Sequence, residues 1–177
     1  MSTLLITGGT VLTQNAQGQV YDPGYVLVED DRIVAVGAGH YPIWGEPGIR
    51  ADEEIDASLM AVMPGLVNAH THLPMTIFRG LADDLPLEEW LGQYIFPAEA
   101  AWINPENVRL GTRLACAEML LSGTTTFCGG YFHEDDVAAA VQAAGIRGVP
   151  PRRGRDLRQG GPVFPDDGRG RGVLRQG

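Results

Sequence analysis

Short apolar runs separated by turn residues fill the first part of the chain. Gly8-Gly9 divides one such run and Asp30-Asp31 divides another, and each pair predicts a turn between two strands. Several short strands at this spacing are typical of a sandwich or barrel, so residues 1–62 are predicted to form part of a small β-sandwich domain. The predicted strands cover residues 4–7, 10–12, 25–29, 32–37, 53–57 and 59–62.

An alternation of strand and helix patterns follows over residues 63–149. Asn104 before Pro105 predicts an N-cap and the first turn of a helix to about Leu121. Asp135 or Asp136 is expected to cap a later helix. The alternation predicts an α/β fold with a parallel sheet. Strands are expected near 62–72, 124–128 and 146–149, and helices at 86–91, 97–101, 108–121 and 137–144, with Val108, Leu110, Leu114, Ala117 and Leu121 mostly on one face of the third.

Two histidines stand at the end of the first strand in this region. His70 and His72 are separated by one residue, so their side chains are expected on the same face. Neutral imidazole is the commonest metal ligand in proteins, and two rings on one face can share an ion. The spacing therefore permits a shared metal ion, and the alternative is that one histidine is a polar core residue and the other faces solvent.

The stretch PGLVNAHTHLPMTIFRGLADDLPLEEWL, which contains both histidines, resembles the amidohydrolase superfamily. Within that superfamily it is most similar to the cytosine-deaminase-like branch, which includes 5-methylthioadenosine/S-adenosylhomocysteine deaminases and triazine chlorohydrolases. The resemblance runs from Leu4 to about Val149, and its specific part is Met63 to Leu91. It implies an incomplete (β/α)8 TIM barrel, of which residues 63–149 provide the first two to three β/α units.

The resemblance also implies roles for individual residues. His70 and His72 correspond to the first two zinc ligands, whereas the other ligands are histidines after the fifth and sixth strands and an aspartate after the eighth. The resemblance also implies a catalytic glutamate next to the third histidine ligand, which is not among the residues of this chain. No catalytic residue is therefore assigned here. Glu99 is expected to bind ribose hydroxyls, or otherwise to be a solvated helix carboxylate, and Trp90 is expected to line the substrate site or simply to pack.

The chain's length bears on this assignment. A (β/α)8 barrel takes about 250 residues, but the whole chain has 177. We therefore expect a truncated part of a longer enzyme that is inactive alone.

Residues 150–177 differ in composition from the rest of the chain. Met1–Val149 contains 6 Arg, no Lys and 19 acidic residues, a net charge of −13, whereas residues 150–177 contain 7 Arg and 3 acidic residues, a net charge of +4. These last residues are rich in Arg, Gly and Pro, lack helical or strand periodicity, and are predicted to be a disordered tail. A shift of reading frame near Val149 is the favoured explanation, and a natural Arg-Gly-rich linker or RNA-binding tail is the alternative.

Composition limits the partners and the location. The acidic body argues against nucleic acid, no apolar run is long enough for a membrane span, and two cysteines without a disulfide framework favour the cytoplasm.

The predicted function is zinc-dependent hydrolysis of a carbon–nitrogen bond in an adenosine-type nucleoside or related N-heterocycle. The alternative is a non-catalytic binding protein or a partner subunit that lends its histidine pair to another chain. Whether full-length relatives form homo-oligomers is left open.

Overall fold

The computed structural model describes residues 2–39, 41 and 51–149. The chain divides into two compact units between Pro64 and Gly65. The predicted tail over residues 150–177 lies outside the described residues. None of the helices in the described part of the chain combines the length and apolarity needed to cross a bilayer.

The first unit contains a five-stranded mixed sheet. β1 pairs antiparallel with β2, and β2 pairs antiparallel with β3, so the hairpin predicted around Asp30-Asp31 is present. β4 and β5 both run parallel to β1 on its other side. The strands are β1 (Thr3–Leu12), β2 (Val20–Glu29), β3 (Arg32–Ala38), β4 (Glu53–Asp56) and β5 (Ala61–Val62).

The turn predicted at Gly8-Gly9 is wrong, because β1 continues through both glycines. The pairing of β1 with β2 shifts register between Thr7 and Gly9 and again between Gly9 and Val11. Gly8 has φ +86°, which a residue with a side chain adopts only at a cost. The two glycines therefore make an irregularity within one strand rather than a reversal of the chain.

The second unit is built on three parallel strands. β6 (Leu66–Thr71), β7 (Thr124–Gly129) and β8 (Arg147–Val149) pair in the order β6-β7-β8, which confirms the predicted α/β class. Helices α3 (Pro105–Leu121) and α4 (Glu134–Ala144) lie in the two connections between these strands. They cover a core made of Leu73, Val108, Ala115, Cys116, Met119, Phe127, Val137, Val141 and Ile146.

Helix α3 begins as predicted, with the Asn104 side chain accepting a hydrogen bond from the Asn107 backbone N–H at 3.0 Å. The residues expected mostly on one face do not coincide with the buried face of the helix: Val108 is buried, but two of the leucines are exposed. Leu110 is 61% exposed and Leu121 is 90% exposed. The residues that are buried are mostly small: Val108, Gly111, Thr112, Ala115, Cys116 and Met119.

Small residues bring α3 close to the 3₁₀ helix Leu73–Phe78, which follows β6. The Thr76 hydroxyl donates to the Gly111 carbonyl oxygen at 2.8 Å. A Cβ on Gly111 would lie 2.5 Å from the Pro74 carbonyl oxygen. Larger leucines could not occupy this contact, and they lie on the other side of the helix.

The two short helices predicted before α3 are one continuous helical segment. α1 (Leu87–Glu89) leads into a π-helical stretch, Trp90–Ile95, and then into α2 (Phe96–Trp102). Pro97 lacks a backbone N–H and crowds the carbonyl four residues earlier, which an α-helix tolerates poorly. The wider π turn before it allows the chain to remain helical.

Helix α4 begins differently from the prediction. Its N-cap is His133, in the left-handed region at φ 54°, and no side-chain cap is present. Glu134 opens the helix, and its Oε1 accepts a hydrogen bond from the Tyr131 backbone N–H at 2.5 Å. Burial raises the pKa of the Glu134 carboxyl, while the Tyr131 hydrogen bond opposes this shift.

The close approach of α3 predicts a contrast between two glycines. Gly111→Ala should destabilise the protein by roughly 1–3 kcal/mol, because the added methyl group meets the Pro74 backbone. Gly92→Ala should instead stabilise it by about 0.5–1 kcal/mol, since nothing lies within 4 Å of a Cβ there and alanine favours the helix. Urea unfolding measures both; equal effects would contradict the packing described.

The raised pKa of Glu134 predicts a pH dependence of stability. The folded state binds its proton more tightly than the unfolded state, so this contribution is full below about pH 4.5 and is lost as pH rises through the raised pKa. Glu134→Gln keeps an oxygen acceptor for Tyr131 but cannot ionise. As pH rises from 4.5 to 7, the wild type should therefore lose free energy of unfolding relative to Glu134→Gln. Urea unfolding at several pH values measures this difference.

The control for this comparison is Glu106→Gln, which alters an exposed glutamate in the first turn of α3. Its difference from the wild type should change less over the same interval. A Glu134→Gln difference that is flat across pH would refute the assigned effect of burial.

Candidate active site

His70 and His72 lie at the carboxyl end of β6, where the strand pairing becomes irregular. The register of β6 against β7 shifts between Asn68 and Thr71. Within this interval the His70 backbone N–H donates to the Asn68 side-chain oxygen at 3.2 Å instead of following the regular ladder. Such irregularities redirect side chains, and here both imidazoles are exposed to solvent.

The two imidazole rings stand edge to face. Their centroids are 5.0 Å apart and their planes make an angle of 81°. Zinc–nitrogen bonds of about 2.0–2.1 Å and a tetrahedral angle of about 109° would place two such centroids roughly 5 Å apart. The observed separation therefore fits two ligands of one zinc ion.

A hydrogen bond fixes the orientation of His72. Its Nδ1 lies 2.6 Å from the carbonyl oxygen of Gly130, the residue directly after β7. A carbonyl oxygen only accepts, so Nδ1 carries a proton, and the nitrogen that a neutral ring would offer to a metal is Nε2. Backbone partners of this kind orient metal-binding histidines and select their tautomer.

Among the described residues, the pair has no further metal-binding side chain beside it. No group of three or more His, Cys, Asp or Glu side chains comes together there in a metal-binding arrangement. Catalytic zinc takes three protein ligands and a water molecule. Two imidazoles alone therefore fall short of a complete catalytic zinc site in residues 2–39, 41 and 51–149.

Tyr131 links Glu99 to the histidine pair, because it contacts both Glu99 and His72. The Tyr131 hydroxyl donates to Glu99 Oε1 at 2.5 Å. The Tyr131 ring is tilted beside His72, with centroids 6.0 Å apart and an interplanar angle of 41°. The structure thus places the Glu99 carboxylate and the His72 imidazole against the same tyrosine.

Trp90 is not joined to this group. It is half-buried at the start of the π-helical stretch, and no hydrogen bond or ring contact connects it to His70, His72 or Glu99 among the described residues. His133 likewise lies at the start of α4 rather than with the histidine pair. The grouped residues are therefore His70, His72, Tyr131 and Glu99.

Sequence reasoning missed Tyr131 and Gly130. Both follow a buried strand directly, at the end of a parallel sheet where active-site residues usually lie. That position was a usable signal for Tyr131. Nothing in the sequence could have indicated Gly130, because its backbone carbonyl oxygen makes the contact.

Comparison with known sequences agrees with the resemblance. The profile of the Amidohydrolase family matches residues 61–155, which is more than half of the chain. The 5-methylthioadenosine/S-adenosylhomocysteine deaminase of Syntrophobacter fumaroxidans is 51% identical over 146 residues, covering 82% of this chain and 32% of that protein.

Solved structures give the same result for the fold. A zinc-bound adenosine deaminase from Xanthomonas campestris superposes with a TM-score of 0.76 at 43% identity, over 84% of this chain and 33% of its own. A mutant atrazine chlorohydrolase from Arthrobacter aurescens, complexed with zinc and atraton, superposes with a TM-score of 0.74 at 25% identity. The match covers 84% of this chain and 35% of that protein.

The chain spans about a third of the length of these relatives. Their coverage and the parallel β6-β7-β8 sheet confirm the predicted partial barrel. The profile match confirms the superfamily indicated by the sequence around the two histidines. The chain belongs to the amidohydrolase family.

Proposed function

We propose that this chain provides the first part of a zinc-dependent hydrolase that deaminates an adenosine-type nucleoside or a related N-heterocycle. His70 and His72 hold the zinc, and Glu99 and Trp90 contact the substrate. The observation that carries the proposal is the histidine pair, with rings 5.0 Å apart and Nδ1 of His72 bound to Gly130.

The similar proteins support the substrate class. One relative is named for the deamination of 5-methylthioadenosine and S-adenosylhomocysteine, and a similar structure is an adenosine deaminase with bound zinc. Because this chain spans about a third of each, the activity belongs to the completed protein. The chain alone is expected to be inactive, since two imidazoles fall short of the ligands that catalytic zinc needs. The proposal keeps the cytoplasm as the location, since two free cysteines suit a reducing compartment.

The chemistry divides between the metal and the side chains. Zinc, when bound, lowers the pKa of its water toward about 7 and so supplies hydroxide at neutral pH. His72 presents Nε2 in a fixed direction because Gly130 holds its other nitrogen. His70 presents its ring from the same strand end at a distance that suits the same ion.

Glu99 contributes recognition rather than bond breaking. Tyr131 occupies one lone pair of its Oε1, which leaves Oε2 and the remaining acceptor capacity of the carboxylate for hydroxyl donors. A ribose offers two such hydroxyls on neighbouring carbons. Trp90, half-buried in the π-helical stretch, offers an apolar surface for a purine-like ring.

A second candidate function is a subunit that lends its histidine pair to another chain. It is favoured by the solvent exposure of both histidines and by the absence of a third ligand beside them in the described ranges. Native mass spectrometry distinguishes the two. A stable stoichiometric complex with a different protein, with zinc at the boundary, would support the subunit.

Metal binding by the full chain tests the proposed ligands. His70→Asn and His72→Asn should each weaken cobalt or zinc binding by at least about tenfold, because each removes one of the nitrogen ligands. Cobalt absorption and calorimetric zinc titration measure this effect. His133→Asn is the matched control, because asparagine tolerates the left-handed conformation at that position and the residue lies outside the pair.

Reconstitution tests the activity. The full chain is combined with the remaining two thirds of the Syntrophobacter fumaroxidans deaminase, and adenosine deamination is followed. Wild type and His133→Asn should restore activity, whereas His70→Asn and His72→Asn should not. Equal activity in all four complexes, or no activity in any, would count against the proposed function.

A further inference from the structure

Tyr131 contacts both parts of the proposed site from a single position. Its hydroxyl donates to Glu99 Oε1 at 2.5 Å, and its ring lies beside His72. Glu99 belongs to α2 and His72 follows β6, so Tyr131 connects two elements that are distant in sequence.

The peptide group between Gly130 and Tyr131 is held from both sides by hydrogen bonds. The preceding residue, Gly130, accepts the hydrogen bond from His72 Nδ1. The Tyr131 backbone N–H donates to Glu134 Oε1 at the start of α4. The backbone of Tyr131 is therefore tied to the imidazole on one side and to a helix on the other.

The hydroxyl of Tyr131 is the donor in its hydrogen bond with Glu99, because a carboxylate oxygen only accepts. A hydrogen bond to an ionised acceptor is stronger than one between neutral groups.

We propose that Tyr131 is a positioning residue that holds the Glu99 carboxylate beside the histidine pair, and thereby sets selectivity for substrates with a vicinal diol on the sugar. A glutamate on a helix otherwise samples several rotamers, and ordering it on binding costs free energy. The Tyr131 hydroxyl orders it in advance. This inference rests on the proposed function, because it assumes that Glu99 receives the sugar.

A purely structural role makes a different prediction. The Tyr131 ring also packs edge to face on Phe132, with centroids 5.0 Å apart. Tyr131→Phe keeps this ring contact and removes only the hydroxyl. A role in packing alone would therefore be largely preserved in the variant, whereas the positioning of Glu99 would be lost.

Kinetics of the reconstituted zinc enzyme with two nucleosides test the proposal. For adenosine, Tyr131→Phe should raise KM by about tenfold with little change in kcat, which corresponds to the loss of one charge-assisted hydrogen bond. For 2′,3′-dideoxyadenosine, which has no diol, the KM of Tyr131→Phe should equal the KM of the wild type. Tyr94→Phe, the same atomic change at an exposed tyrosine of the π-helical stretch, should match wild type with both nucleosides.

Glu99→Gln separates failure of this inference from failure of the proposed function. If Glu99→Gln affects both nucleosides alike, the assignment of Glu99 to the sugar is wrong, and the inference falls with it. If Glu99→Gln impairs adenosine selectively but Tyr131→Phe does not, only the role of Tyr131 is refuted. An equal loss with both nucleosides in Tyr131→Phe would likewise refute positioning.

A double-mutant cycle in the full 177-residue chain needs no reconstitution. Tyr131→Phe, Glu99→Leu, which removes the acceptor, and the double variant are unfolded in urea, and the coupling between the two sites is obtained. A favourable coupling supports the inference. Additive effects would overturn it, because no hydrogen bond would then join the two side chains.

Discussion

The parallel pairing of β6 with β7 places two chain ends at the same edge of the sheet, and the candidate site depends on this pairing. Gly130, directly after β7, can reach His72 only because Thr71 pairs with Gly129 at the end of the neighbouring strand. Parallel strands require a crossover between them, and α3 supplies most of it. The long connection between the strands thus brings the Gly130 carbonyl oxygen, which is distant in sequence, to His72.

The packing of α3 positions this edge. Gly111 allows the helix to approach the 3₁₀ helix after β6 closely, and Thr76 bonds to its carbonyl oxygen. The residues expected on one face do not coincide with the buried face, because close approach to another backbone selects small residues rather than leucines. Apolar character alone could not distinguish the two faces of a helix that is apolar on both.

Local signals in the sequence predicted much of the second unit. The Asn104-Pro105 cap, the strand expected at 124–128 and the end of the helix expected at 144 each depend on neighbouring residues, and each prediction agrees with the structure. The pairing of His70 with His72 followed from strand alternation, although a register irregularity sets their final separation. The π-helical continuity and the contact of Tyr131 with Glu99 depend on tertiary geometry, which spacing along the chain does not encode.

The open edge of β6 indicates where a remaining ligand would lie. In the described part of the sheet, β6 pairs with β7 on one side only. A closed barrel has no unpaired edge, so its first strand must pair with its eighth. The superfamily resemblance implies an aspartate after that eighth strand, which would then end beside His70 and His72. Under the proposed function, the strand that pairs with this edge also carries a further metal ligand, so that closure of the barrel and completion of the metal site become one event.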